Sequence, residues 1–450
     1  MEATTEDPVE VRRNQAYSMA DALAFSLMVG SGEIYLPAFA LALQMGDTVA
    51  GLLASLPLVV GSLLQLVSPA AVRRFGSYRR WVVTCTILQA SVFVPLVAAA
   101  LAGRLRVQWA FLLVAIYFGA GLATGPAWTT WVEKLVPRAL RPRFFARRSR
   151  LGQLGLLIGL VGGGVLLDSA ERWGSLLYAF AVLFAIAGVA RLLSAFFLSR
   201  QTEEPGAARQ DRRIAVHDWV ARFRSGPDGR LLVYLLATQT AVYFAGPYFT
   251  PYMLGRLRLS YASYMGLLSV SLLAKIISLP SLGALARRFG VHRLLWFGGI
   301  GIIPMSVLWL FSDNLLYLCA VQTLSGITWA AYELATVLMF FETIRPEERV
   351  SVLTLFNVAN SAALVLGSAA GGVVLNGLGE TRGAYFVLFG VSFLLRGLSL
   401  LLLPHAARAS STAVPIAIRA LSLRASAGAV ARPILPGFPE SSAQTSPTER

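Results

Sequence analysis

Long apolar runs and short polar breaks alternate along almost the whole chain. Runs long enough to cross a hydrocarbon layer as helix, which takes roughly 20 mostly apolar residues, fall at about 18–43, 49–69, 81–102, 107–132, 151–167, 174–198, 231–253, 262–284, 294–311, 315–341, 351–377 and 384–403. A segment in lipid must satisfy its own backbone hydrogen bonds, so these runs predict twelve transmembrane helices and an all-α integral membrane protein. Two longer stretches carry no span. Residues 200–230 open with Gln-Thr-Glu-Glu-Pro-Gly, and then Ile214, Val216, Trp219, Val220 and Phe223 recur at near-helical spacing among charges. That pattern predicts an amphipathic helix lying on the membrane surface. Residues 404–450 are rich in Ala, Ser, Pro and Arg and read as a disordered tail.

The pattern repeats. Arg-Arg-Phe-Gly occurs at 73–76 and again at 287–290, 214 residues on, and Gly32/Gly246 and Pro37/Pro251 keep that spacing. Glu133 and Pro137 match Glu342 and Pro346. Gly155, Gly159, Gly163 and Gly164 match Ala363, Gly367, Gly371 and Gly372, and Arg191-Leu-Leu-Ser matches Arg396-Gly-Leu-Ser. The order of matches never changes, so the chain is a six-helix unit duplicated in parallel. The implied organisation is an N-terminal segment 1–17, a six-helix bundle 18–199, a linker 200–230, a second bundle 231–403 and the tail 404–450. Two pseudo-twofold-related bundles can rock about a site between them, which is how many secondary carriers work.

Composition agrees with the pattern: 56% of residues are apolar and 14% charged. The formal net charge of +16 raises a nucleic-acid reading. The arginines, however, crowd alternate loops: Arg73, Arg74, Arg79 and Arg80; Arg138, Arg141, Arg143, Arg147, Arg148 and Arg150; Arg287, Arg288 and Arg293. The intervening breaks, such as Gly46-Asp47 and Ser312-Asp313, are poorer in positive charge. The asymmetry is the positive-inside rule and places both termini and the linker in the cytoplasm, with the bundle in the inner membrane. The first apolar run is too long for a cleavable signal. Cys85 and Cys319 lie in apolar spans, and His217, His292 and His405 fall in loops or the tail, so no metal or cofactor set is expected. No phosphate loop of the Gly-x-x-x-x-Gly-Lys-Ser/Thr type and no nucleophile–base set occurs, which argues against an enzyme.

An ionisable side chain at mid-membrane costs roughly 2.5–3.5 kcal/mol, so it marks a functional site by default. Glu33, Lys275 and Glu333 are the three such residues deep in spans. Helical spacing extends each into a polar face: Ser26, Gly30, Glu33 and Pro37; Ser271, Lys275 and Ser278; Trp329, Tyr332, Glu333 and Thr336. Asn357 and Asn360, three apart, share a face. These groups read as a proton or substrate site; a static ion pair between helices is the structural alternative. Arg191 and Arg396 lie near the cytoplasmic ends of their spans and are expected to snorkel to the headgroups. Glu133 and Glu342, with Arg73, Arg74, Gly76, Arg287, Arg288 and Gly290, are candidates for a cytoplasmic gate, or else solvated end charges. Gly155, Gly159, Gly163, Gly164, Gly367, Gly371 and Gly372 put small residues on one helix face and suit close helix packing.

Gly283-Ala-Leu-Ala-Arg-Arg-Phe-Gly290 resembles the loop motif of the major facilitator superfamily, Gly-x-Leu-Ala-Asp-Arg-x-Gly-Arg, and Pro69 to Gly76 is its weaker first copy. The acidic position is Arg73 in one copy and Arg287 in the other, which implies a different acidic partner for any latch there. Gly155-Leu-Leu-Ile-Gly159-Leu160-Val-Gly-Gly163-Gly164 is similar to the family's antiporter motif, with leucine in the proline position and Ser368 at the matching place in the second half. The segments 32–40 and 142–150 resemble an uncharacterised bacterial subgroup of that superfamily. The resemblance covers about 15–403 and implies that helices one, eight and ten line a central cavity and that six and twelve are peripheral.

The expectation is a monomeric secondary active transporter that moves a small-molecule substrate across the lipid bilayer by alternating access, coupled to protons, with export by antiport one form of it. An uncoupled facilitator and a partner-binding membrane scaffold are the alternatives.

Overall fold

The computed structural model describes residues 8–135, 141–203, 227–343 and 346–403. The predicted surface helix of the linker and the tail 404–450 lie outside them. Among the described residues the protein is helical, with no strand. In the first half α1 (Pro8–Ser31), α2 (Leu36–Ala42), α3 (Asp47–Leu53), α4 (Leu56–Phe75), α5 (Tyr78–Ser91), α6 (Phe93–Ala102), α7 (Val107–Leu135), α8 (Arg141–Arg172) and α9 (Leu176–Ser199) follow in order. In the second half α10 (Pro227–Tyr243) is followed by short turns over Gly246–Arg256, then α11 (Tyr261–Phe289), α12 (Val291–Ile302), α13 (Leu315–Thr343), α14 (Pro346–Gly377) and α15 (Arg382–Leu400). Among the described residues ten helical stretches are long and apolar enough to cross a membrane. The second and seventh expected spans, α3–α4 and α10 with its turns, are helical but interrupted.

The interruptions repeat. The first span breaks at Gly32, where a 3-10 turn over Glu33–Tyr35 separates α1 from α2. The seventh breaks at the matching place, with a 3-10 turn over Gly246–Tyr248. The third span divides at Val92, just before Pro95, and the ninth at Ile303, just before Pro304. Proline has no N–H to donate, so a helix opens there. Each broken first helix is pinned by a tyrosine. Tyr35 Oη donates to Leu160 O at 2.6 Å, and Tyr248 Oη to Ser368 O at 2.6 Å.

Glycines set how closely the bundles pack. A Cβ on Gly155 would sit 2.6 Å from Leu23 O, and one on Gly159 2.8 Å from Leu27 O, so α8 lies backbone to backbone on α1. In the second half, a Cβ on Gly367 or Gly371 would run into Thr240 O or Phe244 O, so α14 lies the same way on α10. Gly163 accommodates the Tyr35 ring. Gly164 and Gly372 face the other half instead: Gly164 meets Met265, and Gly372 meets Thr48 as well as the Tyr248 hydroxyl.

The apolar core is arranged unevenly between the two ends. At the end carrying Gly46 and Glu380, here the distal end, one cluster holds residues of both halves, among them Phe39, Phe180, Tyr252, Tyr261 and Phe389. Phe180 of α9 and Tyr261 of α11 meet edge to face at 6.0 Å. Toward the opposite end the buried clusters separate by half, around Val72, Val82 and Trp131 in the first and around Leu231, Leu295 and Leu334 in the second, with Leu58 of α4 packed against the latter. The halves are therefore closed against each other distally.

Arg191 and Arg396 do not snorkel. Both are 3% exposed and point into the bundle. Arg191 Nε donates to Gln89 Oε1 at 2.8 Å, next to the break in the third span. Arg396 donates to Ile302 O at 2.9 Å, the carbonyl at the end of α12. A cation beside freed carbonyls at a helix C-terminus is favourable on both hydrogen-bond and dipole grounds. Helical position alone suggested the headgroups; the break before Pro304 gives Arg396 a closer partner, and Gln89 and Ser194 give Arg191 one.

A valine in place of Gly371 must displace the Phe244 backbone. We expect Gly371→Val to lower stability by about 1–3 kcal/mol, the usual range for overpacking, seen as a reduced melting temperature in detergent. The same substitution at Gly266, whose Cβ would meet nothing within 4 Å, should leave it near the parent value.

Candidate functional site

The geometry starts from Gly326. A Cβ there would collide with Ser271 O and come within 3.1 Å of Lys275 N, so α11 and α13 touch backbone to backbone. That approach brings Lys275 and Glu333 within reach: Lys275 Nζ donates to Glu333 Oε1 at 2.6 Å. The residues are 8% and 6% exposed. Glu333 Oε2 is buried with no donor. An isolated buried charge is far costlier than a paired one, so the contact offsets part of the cost of burying each group. Ser278 Oγ donates to the Lys275 carbonyl at 3.1 Å, and Ser271, half-buried, lies one turn away.

On α13, Tyr332 and Trp329 stack edge to face with centroids 5.8 Å apart. Tyr332 also approaches Tyr234 of α10 at 6.4 Å. Asn360 of α14 is buried, and its Oδ1 has no donor. The Asn357 side chain lies outside the described residues.

Glu33 is placed elsewhere. It opens the 3-10 turn at the break of the first span and is half-buried. Tyr117 of α7 donates to Glu33 Oε2 at 2.8 Å, and the same hydroxyl lies 3.0 Å from Met28 Sδ. Lys275 pairs with Glu333 rather than with Glu33. The three deep charges thus form one ion pair in the second half and one hydrogen-bonded carboxylate on a hinge in the first.

A second buried ion pair, not anticipated from the sequence, lies in the first half. Arg148 of α8 reaches Asp21 Oδ2 of α1 at 2.9 Å. Ser194 donates to Asp21 Oδ1 at 2.7 Å, and Arg191 donates to Ser194 Oγ at 2.9 Å. The Arg148 guanidinium lies 4.2 Å from the centre of the Trp128 ring, a cation–π contact. The signal was present: Ser18, Asp21 and Phe25 recur on one face of the first span. Arg148 reads as a loop residue, because α8 begins well before the apolar run of the fifth span.

Of the gate candidates, Arg73, Arg74 and Arg288 are exposed. Arg288 lies 5.2 Å from the centre of the Phe289 ring. Gly76 closes α4 with φ 64°, and Gly290 precedes α12 with φ 88°. The side chains of Glu133, Arg287 and Glu342 lie outside the described residues. Glu203, at the start of the linker, is an acidic partner of the first loop among the described residues. Its carboxylate accepts from Ser77 Oγ, from Tyr78 N at 2.5 Å and from Arg79 N at 3.2 Å, and so caps α5. Thr202 exchanges hydrogen bonds with Asn14 of α1, and Trp131 of α7 donates to Thr202 O at 2.9 Å. Residues 201–203 therefore strap three helices together. Among the described residues no cluster of His, Cys, Asp and Glu has the makings of a metal site.

A sequence model of the Major Facilitator Superfamily matches residues 22–312 and 231–435. The chain belongs to the Major Facilitator Superfamily. It is a multi-pass membrane protein of the transporter class. A solved structure of a point mutant of the nucleoside transporter NupG is similar over 86% of this chain and 99% of that one, with TM-score 0.69 and 13% identity. A second NupG structure is similar over 87% of this chain and all of that one, with TM-score 0.64 and 12% identity. At such identities the likeness is one of fold. No curated protein sequence matches the transporter significantly.

Removing one partner of a buried pair strands the other. Lys275→Met and Glu333→Gln are each expected to destabilise the transporter by about 3–5 kcal/mol, and the double substitution Lys275→Met/Glu333→Met by less than either. Thermal unfolding in detergent measures all three. Glu203→Ala removes the carboxylate that accepts from Tyr78 N and Arg79 N, leaving Ser77 as the cap of α5, and is expected to cost about 1 kcal/mol in the same assay.

Proposed function

We propose that this facilitator is a proton-coupled secondary transporter of a small solute in the cytoplasmic membrane, with its termini in the cytoplasm, working by alternating access between 18–199 and 231–403. The observation that carries the reading is the Lys275–Glu333 pair: two ionisable groups of opposite type buried together, with Glu333 Oε2 lacking a donor. A proton arriving on that oxygen neutralises the carboxylate and releases Lys275. A solute donor or a moved helix can then compete for the freed groups. Coupling of this kind needs a group whose charged state is favoured in one conformation and disfavoured in the other.

Glu33 has the second role. Tyr117 holds its carboxylate at the break between α1 and α2, so a change of its charge or of its partner acts on a flexible joint. Tyr332, Trp329, Ser271 and Asn360 are the groups we assign to solute contact. The glycines of α8 and α14 let those helices slide against α1 and α10, and export by antiport fits that arrangement. An uncoupled facilitator is the second reading, and it corresponds to a Lys275–Glu333 pair that never opens.

Purified protein in liposomes decides between them. The ligand is found first by thermal-shift screening, since a bound solute raises apparent stability by mass action; nucleosides belong in the panel because the NupG structures share this fold. With that solute, Glu333→Gln and Glu33→Gln are each expected to lower pH-gradient-driven flux at least tenfold, while solute exchange without a gradient persists. Normal gradient-driven flux in both variants would remove the proton assignment and leave the facilitator.

A further inference from the structure

At the distal end three loops meet across the divide between the halves. Asp47 begins α3 in the first half. Arg256, after the broken seventh span, reaches its carboxylate through Nε at 3.2 Å and Nη2 at 2.8 Å. Tyr385 of α15 donates to the same oxygen at 3.0 Å. Glu380, in the loop between α14 and α15, returns the contact: its two oxygens accept from Asp47 N at 3.1 Å and Thr48 N at 2.9 Å. A second-half carboxylate therefore caps a first-half helix, and a first-half carboxylate is held by second-half donors. Of the ion pairs seen among the described residues, Arg256–Asp47 is the one that joins the halves.

Backbone strain collects in the same three loops. Among the described residues the non-glycine positions with positive φ are Gln44 (58°), Arg258 (50°) and Glu380 (53°). They flank Asp47, flank Arg256 and supply the cap. Each ends a helix by folding its successor or itself back onto the last turn, with Met45 N on Ala40 O, Leu259 N on Met253 O and Glu380 N on Leu375 O. Glycine usually occupies such a position because other residues are strained there. Strain of this kind gathers at switches, where surrounding contacts hold it in one state.

We infer that Asp47, Arg256, Tyr385 and Glu380 form a latch that holds the transporter closed at its distal end and that must open before the distal face can admit or release solute. The setting fits. Arg256 is exposed and Glu380 half-buried, so separated charges can be taken up by water. Beneath the latch, Gly51 lies against the Tyr248 ring and Gly372 against Thr48 and Leu52, contacts that hold only while the halves touch. Burial alone would raise the Glu380 carboxyl, but hydrogen bonds from Thr48 and Asp47 and the nearby Arg256 outweigh it and hold it below its usual range. A carboxylate favoured in the closed form loses that advantage only when the pH falls below the ordinary carboxylate range. Near neutral pH the latch is therefore worked by competing contacts and not by its own protonation.

The test uses the full chain in liposomes, with Cys85 and Cys319 replaced by alanine and one reporter at a time. Leu52→Cys, in the distal seam, reports opening there; Leu338→Cys, buried within the second half, reports general loosening. The readout is the rate of alkylation by a membrane-impermeant maleimide. Asp47→Asn, Arg256→Gln and Glu380→Gln are each expected to raise the rate at Leu52→Cys at least threefold and to leave Leu338→Cys unchanged. Unchanged rates at Leu52→Cys in all three variants, or an equal rise at both reporters, would overturn the latch. The inference rests on alternating access, yet the assay uses neither solute nor proton gradient, so its failure is distinct from failure of proton coupling.

Discussion

Hydrocarbon offers no water to an unpaired peptide group, and that constraint shapes the interior of this protein. An unbroken helix meets it without help. Five of this transporter's spans are interrupted among the described residues, and at four of the breaks a long side chain makes a hydrogen bond within the bundle. At the ninth span Arg396 takes the carbonyl that ends α12, and at the third Arg191 reaches Gln89. At the first and seventh, Tyr35 and Tyr248 pin the loosened segment to a neighbouring helix. Several of the polar groups deep in the bundle thus answer interruptions in the backbone. Glu33 stands on one of those joints, its carboxylate accepting from Tyr117.

Glycine works on the same constraint from the other side. Where α8 lies on α1, α14 on α10 and α13 on α11, missing side chains let backbones touch, and the long polar residues between those helices are then within reach of one another. The short Lys275–Glu333 contact follows from Gly326, seven residues before Glu333. Packing and chemistry at that point are one feature: a bulkier residue at 326 would part the helices and the charges together.

The spans, the duplication and the family were legible in the sequence because they depend on local periodicity and on spacing, which a linear string preserves. Lys275 and Glu333 were legible as candidates, since charge in an apolar run is conspicuous, but not as partners, since nothing local tells which helices adjoin. The same ignorance of neighbours sent Arg191 and Arg396 to the headgroups. Asp21 was passed over because it sits near the edge of its span, and Arg148 because its helix starts among charges. Glu203 was invisible as a cap: it belongs to the linker, and its partners are some 125 residues earlier.

The placement of opposite charges has a consequence for how the protein is made. Asp21–Arg148 closes within the first half and Lys275–Glu333 within the second, while Asp47–Arg256, which crosses, is near the aqueous edge. Each half thus reaches the lipid with these buried charges already matched from its own sequence. On this count the nascent first half need not wait for the second to leave the ribosome before its buried charges are neutralised.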